Sequence, residues 1–141
     1  MTAHPLTAAD VGTELPPLAL PPLTRSTLAL YAGGSGDHVP LHIDQDFVRR
    51  AGYPDVFMHG MLGMAYLGRL LTAWAPQEAI KEFSVRFVAI TYPGEALTCY
   101  GKVVSKGLES HPNAVRVDLA LKNADGEPKL TGHAILELPP E

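Results

Sequence analysis

An aspartate and a histidine five positions apart, Asp37 and His42, stand in the densest polar segment of the chain, Ser35-Gly36-Asp37-His38-Val39-Pro40-Leu41-His42-Ile43-Asp44. A carboxylate and an imidazole on one loop can share proton transfer, because histidine titrates near neutrality and a neighbouring acid orients it or shares its proton. Gly33, Gly34 and Gly36 lend backbone freedom before the pair, and Pro40 stiffens the loop between its members. The second feature is His59-Gly60-Met61, where a long apolar stretch begins. A helix starting there aims free N–H groups and the positive end of its dipole at whatever approaches Gly60, which suits an anion or a polarised carbonyl oxygen. Both features also have a plain structural reading. Loop Asp and His residues are usually solvated, Gly60 can simply make the turn into the helix, and His59 can be a satisfied, partly buried histidine.

The elements that would position these groups fall into two halves. The first begins with a proline-rich arm over residues 1–23, at most an edge strand, since Pro16-Pro17 and Pro21-Pro22 bracket Leu18-Ala19-Leu20. Thr24 is placed to cap a short helix carrying Leu28, Leu30 and Tyr31, which Gly33-Gly34 is expected to stop. Asp44 is placed to cap another, Gln45 to Ala51, closed by Gly52. Gly60 to Trp74 reads as the longest helix, apolar around most of its circumference and therefore buried, with Gly63 and Gly68 marking close approach of backbone or ligand. From Phe83 the period becomes two: Phe83-Ser84-Val85-Arg86-Phe87, then Val115, Val117, Leu119 and Leu121, then Leu130, Ala134, Leu136 and Leu138. Pro93-Gly94 and Asn123-Ala124-Asp125-Gly126 read as turns between neighbouring strands, giving an antiparallel meander. Its apolar face needs cover, and only the Gly60–Trp74 helix is long and apolar enough to supply it. The expected fold is α+β, a curved antiparallel sheet wrapped around one long central helix: the hot-dog arrangement.

Composition sets the outer limits. A chain of 141 residues reads as one domain over 1–141, large enough to bury a real core, and 46% hydrophobic against 18% charged residues excludes disorder. Gly and Pro together supply 26 residues, above the usual share, which points to special backbone at particular places. A net charge of -4 argues against nucleic acid as a partner. The longest uncharged stretch, Val56 to Gly68, is too short to span a bilayer, and Met1-Thr2-Ala3-His4-Pro5 lacks the regions of a signal peptide. A single cysteine, Cys99, forms neither an internal disulfide nor a cysteine-based zinc site, in keeping with a reducing, cytoplasmic setting. Cys99 itself reads as a small core residue of a strand.

Taken together, Tyr31-Ala32-Gly33-Gly34-Ser35-Gly36-Asp37 through Pro40-Leu41-His42, followed by His59-Gly60-Met61, resembles the hydratase signature of MaoC-like (R)-specific enoyl-thioester hydratases and dehydratases. Pro22-Leu23-Thr24-Arg25, Gly68-Arg69, Trp74 and Phe83-Ser84-Val85-Arg86-Phe87 resemble in particular the catalytic subunit of mycobacterial-type (3R)-hydroxyacyl-ACP dehydratases. The resemblance implies a hot-dog fold and reversible addition of water to trans-2-enoyl thioesters of CoA or ACP. It further implies Asp37 and His42 as the catalytic pair, the Gly60 N–H as donor to the thioester oxygen, no cofactor, and a homodimer or a hot-dog heterodimer. One position departs from the pattern: Val39 stands where the family usually carries Asn, and Val can replace none of that side chain's hydrogen bonds.

Three other readings stay open at this level. Asp37, His38, His42, Asp44 and His59 raise the possibility of a metal, but Pro40 between His38 and His42 breaks any ligand-presenting helix and no HExxH base is present, so no metal is expected. A hot-dog thioesterase would carry an acid on or near the central helix, and the chain has none between Asp55 and Glu78. A non-catalytic, partner-dependent acyl-thioester-binding subunit would be expected to lack the Asp/His pair; turnover by the single chain tells it from the enzyme. Arg49, Arg50, Lys102 and Lys106 read as ordinary surface cations, and His111 and His133 receive no role.

Overall fold

The computed structural model describes residues 9–108 and 112–137. Leu138, His111 and the first eight residues of the proline-rich arm lie outside that range. The arm contributes β1 (Leu18–Ala19), followed by α1 (Arg25–Ser35), α2 (Gln45–Arg50) and the central α3 (Gly60–Trp74). Four longer strands complete the chain: β2 (Ile80–Phe87), β3 (Leu97–Lys106), β4 (Ala114–Asn123) and β5 (Pro128–Glu137).

The strands form one antiparallel sheet in the order β1-β3-β4-β5-β2. Alternation along β3 and β4 sends Leu97, Cys99, Val103, Val115, Val117, Leu119 and Leu121 inward, where α3 lays Leu67, Leu70 and Leu71 against them. Removing each such side chain from water contributes roughly 1.5–3 kcal/mol, which makes the helix–sheet contact the main stabilising layer. This is the hot-dog fold. The helix starts and ends where its pattern predicts, but it is not buried all round, for Met61 is half exposed at its first turn. Cys99 is fully buried, and burial pushes its thiol up to about 12, so it acts as a small core residue.

Two expectations need correction. Gly33 and Gly34 do not stop α1; the helix runs through them to Ser35 and ends at Gly36, the first glycine here in a left-handed conformation (φ 79°), whose N–H closes the turn onto Ala32. Helix termination needs that conformation, and two glycines with negative φ only weaken a helix they remain part of. Nor does Pro93-Gly94 join neighbouring strands. β2 pairs with β5, not with β3, so residues 88–96 carry the chain from one side of the sheet to the other, and the meander is confined to β3-β4-β5. The crossing segment ends beside the arm, where Leu23 and Gly94 exchange hydrogen bonds with Glu95 and Leu23, respectively.

Gly132 makes the β2–β5 pairing possible. A β-carbon there would fall 2.1 Å from the carbonyl oxygen of Ser84, a main-chain approach that only glycine permits.

Candidate functional site

Three short segments meet at the start of α3. The left-handed Gly36 turns the chain out of α1 into Asp37; a 3-10 turn over Pro40–His42 follows; and residues 53–59 return along it to the helix. Asp37 is held by local bonds. Its N–H donates to Ser35 Oγ (3.1 Å), and its Oδ1 accepts from the Val39 N–H (3.2 Å). Val39 thus serves the loop through its main chain alone, and its side chain is exposed. His38 does not supply the missing amide's contacts toward the site, since its ring bonds back to the Gly36 carbonyl (3.2 Å).

His42 is oriented by Phe57. Its Nδ1 lies 2.7 Å from the Phe57 carbonyl oxygen, which can only accept, so Nδ1 carries the proton and Nε2 is left free in the neutral ring. Nε2 faces Asp37 Oδ2 at 4.0 Å, too long for a direct hydrogen bond. The two groups can therefore both address one small molecule or one substrate atom placed against them. The His42 side chain is largely covered, while that of Asp37 is 40% exposed, so the pair opens to solvent on the aspartate side.

His59, which the residue pattern left between a ligand and a bland core histidine, proves to be part of this cluster. It is buried and stacks on His42 with ring centroids 3.9 Å apart and planes 22° from parallel, while its Nε2 lies 3.1 Å from the Asp37 carbonyl oxygen. Burial, with the nearby His42 adding to it, holds the His59 pKa below its ordinary value despite the Asp37 bond that favours protonation. Tyr31 meets the same ring edge-on at 4.8 Å. Gly60 is the first residue of the 15-residue α3, so its N–H has no acceptor within the helix.

Asp37, His42 and His59 each bring one potential ligand atom within 4.8 Å of the others. Stacking is unfavourable for a shared ion, because lone pairs in two nearly parallel ring planes do not converge, and carbonyl oxygens engage one nitrogen of each ring. Asp44 is used otherwise, capping α2 by accepting from the Phe47 N–H.

Several supporting residues had no signal in the local pattern. The Arg25 guanidinium grips both oxygens of Asp55, which also accepts from Gln45 and from the Val56 N–H, tying α1 and α2 to the segment that presents the Phe57 carbonyl. On the other side, the Met58 N–H donates to the Thr91 carbonyl at 2.9 Å. The buried Lys129 fixes that crossing segment by donating to the Ile90 carbonyl and pairing with Glu95 and Glu127. Arg25 and Asp55 lie 30 positions apart, Gln45 and Asp55 10, and Lys129 and Ile90 39, beyond the reach of any spacing rule.

A MaoC-like domain model matches residues 8–124 of the chain. The chain belongs to the MaoC-like domain family. Among the relatives of this MaoC-like chain, enoyl-CoA hydratase ChsH3 of Mycobacterium tuberculosis is 38% identical over 98 residues, covering 64% of this chain and 33% of that protein. The 3-hydroxyacyl-thioester dehydratase X of the same organism is 33% identical over 118 residues, covering 82% of this chain and 38% of that one. The chain therefore spans well under half the length of these curated relatives. In three dimensions it superposes on a chain of the ChsH1-ChsH2 complex of M. tuberculosis with a TM-score of 0.80 at 23% identity, covering 92% of this chain and 98% of that one, a likeness of fold.

Proposed function

We propose that this MaoC-like domain acts as a hydro-lyase, adding water to trans-2-enoyl thioesters and removing it from (3R)-3-hydroxyacyl thioesters carried on CoA or ACP. The observation that supports it best is the facing of His42 Nε2 and Asp37 Oδ2 at 4.0 Å beside the N-terminus of α3. In this reading the Gly60 N–H and the helix dipole receive the thioester oxygen and stabilise the enolate-like charge that builds there. Water attacks C3 as one member of the pair takes its proton, and the pair returns a proton to C2. Dehydration retraces the same path, so both groups change role with direction. The relatives named as an enoyl-CoA hydratase and a 3-hydroxyacyl-thioester dehydratase favour the same chemistry.

The test is the loss of enoyl-thioester absorbance on adding the protein to crotonyl-CoA, followed by longer-chain and ACP-linked substrates. Asp37→Asn and His42→Ala should each slow turnover by about 10²- to 10⁴-fold. Equal rates in wild type and both variants, or no turnover by wild type with any of these substrates, would sink the proposal.

The same reading includes pairing with a second hot-dog chain, identical or related, in the cytoplasm. β2 ends the strand order, and Phe87 and Val88 at its end, with Met61 nearby in the site's first turn, present exposed apolar surface. Among the described residues no helix is long and apolar enough to cross a membrane. A monomeric mass by light scattering at micromolar concentration contradicts the pairing.

A further inference from the structure

We infer that His59 is the positioning residue of the Asp37–His42 pair: its ring is the shelf on which His42 lies, and its Nε2–H anchors the Asp37 backbone. The inference rests on the hydro-lyase reading for its kinetic consequence, though not for its geometry. One buried side chain touches both members of the pair, His42 through ring stacking at 3.9 Å and Asp37 through its carbonyl oxygen at 3.1 Å. Both members sit on segments that need such an anchor. Asp37 follows the left-handed Gly36 and is otherwise held by bonds within its own loop, while His42 ends a three-residue turn.

His59 is not itself placed to exchange protons with a substrate. A carbonyl oxygen only accepts, so Nε2 must carry the proton that it donates to Asp37. The remaining nitrogen, Nδ1, is buried with no hydrogen-bond partner among the described residues, so a second proton there would leave a charged donor unpaired. The titratable groups packed against the ring are Asp37 and His42 from the loop and turn and Tyr31 from α1. The ring thus stays neutral, its face and its Nε2–H occupied, and its effect on chemistry runs through the other two groups. Because a displacement of about 1 Å can cost as much as 10²-fold in rate, loosening this anchor should be visible in turnover.

Two variants separate its two contacts. His59→Phe keeps a ring against His42 and removes the donor; His59→Gln keeps a donor for Asp37 and removes the ring. Each should lower kcat for enoyl-thioester hydration by about 10- to 10²-fold with KM little changed, and the acid limb of the wild-type kcat/KM profile should persist, since His59 itself exchanges no proton with the substrate. Each should have little further effect in the background that lacks the group it positions, Asp37→Asn for His59→Phe and His42→Ala for His59→Gln. The same factor carried undiminished into those backgrounds would mean a general disturbance of the fold, and disappearance of the acid limb would make His59 an acid–base group; either result overturns the inference. A readout without turnover keeps it separate from the proposed activity: imidazole ¹⁵N spectra of the wild-type protein should show His59 still in the neutral Nε2–H form at pH values below its ordinary pKa of 6.5. A His59 that titrates normally, or that holds its proton on Nδ1, overturns the positioning role whether or not any thioester is turned over, whereas the expected spectrum with no turnover would sink the hydro-lyase reading alone.

Discussion

The ring of Phe87, the last residue of β2, lies against the Cα of Gly60, where an added β-carbon would stand 3.0 Å from its Cε1 and Cζ atoms. The first residue of the central helix and the end of a sheet strand thus meet at the site, and each limits the other. Gly60→Ala should cost the fold little, within about 1 kcal/mol, because alanine favours the helix and Phe87, 54% exposed, can give way by a few tenths of an ångström. The displaced ring and the new methyl group crowd the N–H proposed to receive the thioester oxygen, so kcat/KM for enoyl-thioester hydration should fall by about 10- to 10²-fold. Adding Phe87→Ala should restore part of that loss. Wild-type kinetics in Gly60→Ala would show that the oxygen is received elsewhere.

Gly132→Ala should behave in the opposite way, striking stability before chemistry. The neighbour of the added β-carbon is the Ser84 carbonyl oxygen at 2.1 Å, and main chain cannot swing aside as a phenyl ring can. The substitution must open the Ser84–His133 and Val85–Gly132 rungs of the β2–β5 pairing. A loss of about 3 kcal/mol or more is expected, measured as a lower urea midpoint at unchanged slope. An unshifted midpoint would mean that β2 is free to move away from β5.

Asp55 gives the fold an acid-sensitive clamp. The Arg25 guanidinium, helped by the Val56 N–H and Gln45, holds its carboxyl down to about 2 against an ordinary 3.8. A folded-state pKa below the unfolded one means stability that is present above pH 3.8 and lost as pH falls toward 2. Asp55→Asn should therefore be less stable than wild type at neutral pH, with the gap closing across that window. Because Arg25 is more than half exposed, solvent screens part of the interaction and the gap should be modest. Urea midpoints at pH 7 and pH 2.5 test it, and a gap equal at both would remove the ion pair as its cause.

Much of this architecture is legible in short stretches of chain because the signals are local. The apolar run from Gly60 to Trp74 marks the central helix to the residue, and Thr24 and Asp44 cap the helices they were expected to cap. Alternation exposes β4 and β5, and Asp37, His42, His59 and Gly60 stand out by residue type and spacing. Such features depend on partners within about one helical turn or one strand pair. The failures share a cause as well. Gly33-Gly34 had the composition of a stop signal without the left-handed conformation, and Pro93-Gly94 had the composition of a hairpin turn in a segment whose strand finds its partner in β5.

Read alone, the chain specifies its elements, its core face and the residue types available for proton transfer, since periodicity and capping are properties of adjacent residues. Tertiary structure alone decides how those residues are used. The Phe57 carbonyl, 15 positions away, chooses which nitrogen of His42 is free, and the Asp37 carbonyl, 22 positions away, chooses which nitrogen of His59 is protonated. Stacking of the two imidazoles, the Arg25–Asp55 clamp and the close passage of β2 over Gly132 all arise between segments that no spacing relates. A tautomer is set by the acceptor that faces the ring, and that acceptor is in place only once the chain has folded.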